Sequence, residues 1–153
     1  MVIREACVGS YREALQAAAA GADRIELCDN LAQGGTTPGP GTLKMTRSAL
    51  ALPIHVIIRP RGGSFHYSDD EVSIQCYDIA YCRELGFDGV VLGALDADGH
   101  LDTAVMTQLL TQAAGMAVTF HMAFDTLPRD EQFAAIDWLA AAGNRAVVTL
   151  ADD

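Results

Sequence analysis

Ile58-Arg-Pro-Arg-Gly-Gly-Ser-Phe-His-Tyr-Ser-Asp-Asp-Glu71 is the stretch that decides the fold. The apolar run from Ile54 to Ile58 ends in two arginines at i and i+2, Arg59 and Arg61, and two glycines follow. Ser68-x-x-Glu71 then signals a helix start, because the Ser hydroxyl can cap the third helical N–H while the Glu reaches back to the cap. A strand, a basic glycine-containing loop and a capped helix form the join at which α/β proteins build their sites.

The same unit recurs on either side. Upstream, Val2 to Cys7 alternates partly and reads as a strand. Ser10-Tyr-Arg-Glu13 is a second capping box, and the Ala-rich run to Ala20 is a helix that Gly21 stops. Arg24 to Leu27 is the second strand, followed by a breaker-rich loop, Asn30 to Gly41, and a short helix, Thr42 to Leu50. Downstream, a helix from about Asp69 to Leu85 carries Val72, Cys76, Ile79 and Arg83 on one face. Asp88 to Leu92 is a fourth strand, Asp96 to His100 a turn, and Asp102 caps a helix to about Ala113. Ala117 to Phe120 is a fifth strand. Pro128 suits a helix's first turn, and that helix reaches Ala142, with Gly143 and a sixth strand, Arg145 to Leu150, beyond it. Strict alternation of strands and helices means a parallel sheet with right-handed crossovers.

Polar parity separates a barrel from an open sheet. Central strands of an open parallel sheet are buried on both faces and almost wholly apolar. Here Glu5 with Cys7, Glu26 with Cys28, His55 with Arg59, and Thr119 with His121 share one parity. A (β/α)₈ interior accommodates such residues near the C-terminal ends of its strands. The expected fold is therefore α/β, a TIM-type barrel of which about six βα units are present, as one partial domain over residues 1–153.

Composition narrows the function. Half of the residues are hydrophobic and the net charge is −10, which argues against nucleic acid held by phosphate neutralisation and against an anionic membrane surface. No apolar run reaches about 18 residues, and the N-terminus lacks the pattern of a signal peptide. A cytoplasmic protein is expected, and the four cysteines, Cys7, Cys28, Cys76 and Cys82, are expected as free thiols. Cys76 and Cys82 read as small buried hydrophobes in one helix. Neither glycine loop matches a P-loop or a dinucleotide fingerprint, so no organic cofactor is indicated. His66 and His100 read as exposed loop residues, and Asp96-x-Asp98-Gly99 lacks the later Glu of a calcium loop.

Glu5-Ala-Cys7, Gly21-Ala-Asp-Arg-Ile-Glu-Leu-Cys28, Gly34-Gly-Thr-Thr-Pro38, Ile58-Arg-Pro-Arg-Gly-Gly63, Tyr67-Ser-Asp69, Thr119-Phe-His121 and Ala123-Phe-Asp125 together resemble the CutC family, in order, from about Ile3 to Trp138. The family is named for a proposed role in copper homeostasis. The resemblance implies a TIM-like barrel, a cytoplasmic location and Cu(I) binding at Cys7 and Cys28. Neighbouring parallel strands lie about 4.8 Å apart, so these two sulfurs can approach one another, and paired thiolates suit a soft ion. The competing interpretation is two small buried hydrophobes.

The family usually places Arg after the His of its fifth strand, where this chain has Met122. It also continues past its sixth strand with two more βα units. Six strands do not close a barrel, so the expectation is a partial copy or a half that closes as a homo-oligomer.

A second constellation, Glu5, Glu26, His55, Arg59, Arg61, His121 and Asp125, suggests a barrel enzyme acting on a small anionic metabolite. Arg59 and Arg61 would clamp the anion, with Glu26 or His121 as acid/base and Asp125 as a further catalytic group. The plainer alternative is a buried network in which Arg59 and Arg61 neutralise Glu5 and Glu26.

Overall fold

The computed structural model describes residues 2–142 and, for the backbone alone, 146–148. Its elements run β1 (Glu5–Val8), α1 (Tyr11–Ala19), β2 (Arg24–Leu27), α2 (Pro40–Ala49), β3 (Ile54–Ile57), α3 (Asp69–Glu84), β4 (Gly89–Leu92), α4 (Thr103–Gln112), β5 (Ala117–Phe120), α5 (Gln132–Ala141) and β6 (Ala146–Val148). Two short 3₁₀ turns, Leu31–Gln33 and Met122–Thr126, are additions the sequence pattern did not signal. All pairings are parallel and the strand order is β1-β2-β3-β4-β5-β6. A doubly wound sheet would reverse direction at a switch point. Sequential order without reversal is the winding of a (β/α) barrel.

Local signals explain most boundaries. Ser68 and Glu71 form the complete capping box expected at α3. At α1 only half of it forms: the Ser10 hydroxyl accepts from Glu13 N–H, while the Glu13 carboxylate takes Gly9 N–H at 2.6 Å instead of reaching the cap. Helix α5 begins at Gln132 rather than around Pro128, since a separate turn intervenes in which Glu131 N–H donates to the Pro128 carbonyl. The buried stripe of α3 is Val72, Gln75, Ile79 and Cys82; Cys76 is half-buried and Arg83 exposed. The expected Gly143 stop and the ends of the sixth strand, Arg145 and Leu150, lie outside the described residues. No helix among the described residues is long and apolar enough to cross a membrane.

The two faces of the sheet differ. Ile25, Leu27, Ile54, Val56, Ile58, Val90, Leu92, Val118 and Phe120 pack with the helices in the main core. The opposite parity carries the polar residues, and register stacks them in levels. Glu5 lies opposite Arg24. Above them Cys7, Glu26, His55 and Gly89 are aligned across four strands. Cys28, Ile57 and Val91 form a small apolar cluster at the next level, with Thr119 beside Val91. Arg59 and His121 follow, beyond the ends of β3 and β5.

Candidate functional site

Cys7 is the third residue of β1, and Cys28 comes one residue after β2. Because Cys7 is registered against Glu26, Cys28 sits one inward position further along, and the sulfurs meet diagonally at 3.8 Å. Glu26 Oε1 lies 3.8 Å from Cys28 Sγ. One ligand atom from each of Cys7, Glu26 and Cys28 falls within 4.8 Å of the others, the one such group of three among the described residues. Cys7 is exposed and Cys28 buried, so the group opens to solvent on the Cys7 side.

These donors fit a soft ion. With metal–sulfur bonds of about 2.3 Å, sulfurs 3.8 Å apart subtend about 110° at the ion, leaving a third position toward Glu26. A linear two-sulfur arrangement would need them about 4.6 Å apart, and the exposed Cys7 side chain can turn to provide it. Two thiolates favour Cu(I). A closed zinc site takes four protein ligands, one more than this group offers.

The cluster is electrostatically tight. The Cys28 thiol lies within reach of two acceptors, Cys7 Sγ and Glu26 Oε1. Donation from Cys28 holds Cys7 below the usual thiol range, and the same bond together with burial pushes Cys28 above it. Burial, reinforced by the Glu5 charge, raises the Glu26 carboxyl to about 7. His121 moves the other way: burial, then the Arg59 charge, depresses it to about 3.

These shifts act oppositely on stability. Between the ordinary carboxyl range and pH 7, the unfolded chain has released the Glu26 proton while the folded chain keeps it, so stability falls as pH rises. Between pH 6.5 and 3 the unfolded chain binds a proton at His121 that the folded chain refuses, so stability falls as pH drops. Glu26→Gln removes the first slope. It is expected to raise the unfolding free energy at pH 7.5 by about 2 kcal/mol and to leave the acid-side loss exposed, as read from urea unfolding at pH 5, 6 and 7.5.

The remaining expected residues are distributed differently. Arg59 is 3 % exposed and turns toward the loops, donating from Nη1 to the carbonyls of Gln33 and Gly35 and from Nη2 to that of Gly63. Arg61 does not share its side. Strand geometry ends at Ile57 and the chain turns after Arg59, so Arg61 pairs with Glu71 (Nη2 to Oε2, 3.0 Å) and holds the Ser64 and His66 carbonyls. The two guanidiniums thus go to separate partners instead of facing one anion. Nor do they neutralise Glu5 and Glu26: Glu5 pairs with Arg24. His121 caps the turn after β5, its Nδ1 accepting from Ala123 N–H, and Asp125 is exposed on that turn. His55 is buried at the level of Cys7 and Glu26, one level below Cys28, and is held below the ordinary histidine range by burial and the Arg24 charge. His66 and His100 are exposed, and His100 pairs with Glu131.

Two features escaped the sequence reading. Gly89 and Gly93 bracket β4 and make room for the histidines of its neighbours: a Cβ on Gly89 would lie 2.6 Å from His55 Cδ2, and one on Gly93 would lie 2.7 Å from His121 Cε1. The Gly-Val-Val-Leu-Gly run, with both glycines at inward parity, was the available signal. Phe65 is the other. Its ring stands 5.0 Å from the Arg59 guanidinium carbon and 5.1 Å from the His121 ring, a meeting that local sequence does not announce.

Fold and site together define a parallel α/β protein of the TIM-barrel type with a two-thiol, one-carboxylate group on the inner face of its first two strands. The chain belongs to the CutC family, whose model matches residues 2–152. A CutC relative from Chromobacterium violaceum is 51 % identical over 143 residues, which cover 94 % of this chain and 58 % of the relative; the chain thus spans somewhat more than half of that protein's length. A solved Streptococcus agalactiae structure, described as that of a copper homeostasis protein CutC, is 42 % identical with a TM-score of 0.89, covering 94 % of this chain and 70 % of that one. An archaeal fructose 1,6-bisphosphate aldolase, 18 % identical with a TM-score of 0.61 over 89 % of this chain and 52 % of its own, shares the fold alone.

Proposed function

We propose that this protein binds Cu(I) through Cys7 and Cys28 and serves copper homeostasis. The observation that carries the proposal is the 3.8 Å approach of two sulfurs from adjacent strands, one exposed and one buried, beside the Glu26 carboxylate. The S. agalactiae relative's name supports the same role. Cys28 anchors the ion and exposed Cys7 receives it, which suits reversible transfer of a cargo ion and needs no turnover. All four cysteines are free thiols, in keeping with a reducing cytoplasm. Exposed Ile74 and Tyr77 on α3, and Phe133 and Ile136 on α5, supply apolar surface for a homo-oligomer.

X-ray absorption at the copper edge tests the coordination. Reduced protein carrying one equivalent of Cu(I) is expected to show two sulfur neighbours in its first shell. A shell of nitrogen and oxygen alone would rule the proposal out.

A further inference from the structure

Arg59 is a buried cation whose charge no described residue compensates. Its Nη groups satisfy three backbone carbonyls, but carbonyls are neutral, and its Nε–H is buried with no partner. Among the described residues no carboxylate stands within ion-pair distance of it, although Arg4, Arg24, Arg47 and Arg61 each pair with one. An unpaired buried charge costs several kcal/mol. A chain with twenty acidic residues against ten basic ones had carboxylates to spare for this position.

Two further donors stand in the same region. His121 is 2 % exposed; its Nδ1 is used as an acceptor, so its proton is on Nε2, which has no partner. The Tyr67 hydroxyl is likewise buried, beside the Arg59 guanidinium and with no hydrogen bond of ordinary geometry. Phe65 touches both Arg59 and His121 and forms part of the wall of a cavity of about 550 Å³. Gly63, Ser64, Leu95 and Thr126 also line that cavity. It lies among the loops after β3, β4 and β5, at the end of the sheet where barrels of this type bind their ligands. A Cβ added at Gly34 would lie 3.3 Å from both Arg59 Nη1 and Met122 Cε, so a thioether methyl stands in the neighbourhood of the guanidinium.

We infer that Arg59, His121 and Tyr67 form an oxyanion subsite for the carboxylate or phosphate of a small molecule entering from this cavity past Phe65. The anion supplies the missing counter-charge, accepting from Arg59 Nε–H, His121 Nε2–H and the Tyr67 hydroxyl. The subsite belongs to β3, β5 and the loop before α3, apart from the thiols of β1 and β2, and therefore stands or falls independently of copper binding.

The test follows the Arg59 Nε–H signal by ¹⁵N–¹H NMR while inorganic phosphate, and separately malonate, are titrated at an ionic strength held constant with chloride. A saturable shift with either anion is expected, and the anion that produces it identifies the headgroup. Tyr67→Phe keeps the ring and is expected to weaken that anion about tenfold, the worth of one hydrogen bond to a charged group. No saturable shift with either anion, or the same shift with chloride alone, would overturn the inference. So would an unchanged affinity in Tyr67→Phe, or loss of the response in Cys7→Ser, which would place the anion at the thiols.

Discussion

Cys28→Ser is expected to weaken Cu(I) binding by about 100-fold or more. Even outer partners of a metal site typically contribute 10- to 100-fold, and Cys28 supplies one of only two soft donors in the group. A serine hydroxyl is a hard ligand that stays protonated at neutral pH, so the substitution removes a thiolate and puts nothing comparable in its place. Cys7→Ser is expected to have the same effect on affinity with less effect on folding, because Cys7 is exposed whereas Cys28 is 1 % exposed and packs against Ile57 and Val91. Competition against a chromophoric Cu(I) chelator reads the affinities, and thermal melting of the apo variants separates metal loss from fold loss.

Gly89→Ala is expected to destabilise the protein by about 3 kcal/mol, the upper part of the usual range for overpacking. Its Cβ would lie 2.6 and 2.7 Å from His55 ring atoms and 2.8 Å from the Ala117 carbonyl oxygen. The imidazole has little freedom, since it is buried between strands, and the carbonyl belongs to the backbone of β5. Relief therefore requires β4 and β5 to separate, against their register pairing of Gly89 with Ala117. Gly41→Ala is the contrasting substitution. It lies within α2, and nothing stands within 4 Å of its added Cβ, so Ala is expected to stabilise by about 0.5–1 kcal/mol through helix propensity. Urea unfolding of the two variants reads both signs.

Much of the architecture was legible because local signals and long-range parity agreed. Apolar residues of β2 and β3 on one parity and Glu26, Cys28 and His55 on the other required two unlike faces, and the faces are unlike. The Ser68 box placed the start of α3. The Cys7–Cys28 approach could be expected because two adjacent strands set its distance. What failed to carry over depended on where the chain stops being a strand. Arg59 and Arg61 have one parity in the sequence, but the turn that follows Ile57 and contains Pro60 ends the alternation, and Glu71 captures Arg61. The pairing of Glu5 with Arg24 needed the register of β1 against β2, which hydrophobic pattern alone does not fix to the residue. The Phe65 contact joins two loop segments separated by more than fifty residues, beyond the reach of any periodicity.

In the proposed function one Cu(I) ion is held jointly by Cys7 and Cys28. Anaerobic Cu(I) titration of the reduced wild type, Cys7→Ser and Cys28→Ser proteins, each against the same competing chelator, tests it most directly. The expected result is one tight equivalent in the wild type and none in either variant, with both variants folded. A tight equivalent that survives in both variants would contradict it.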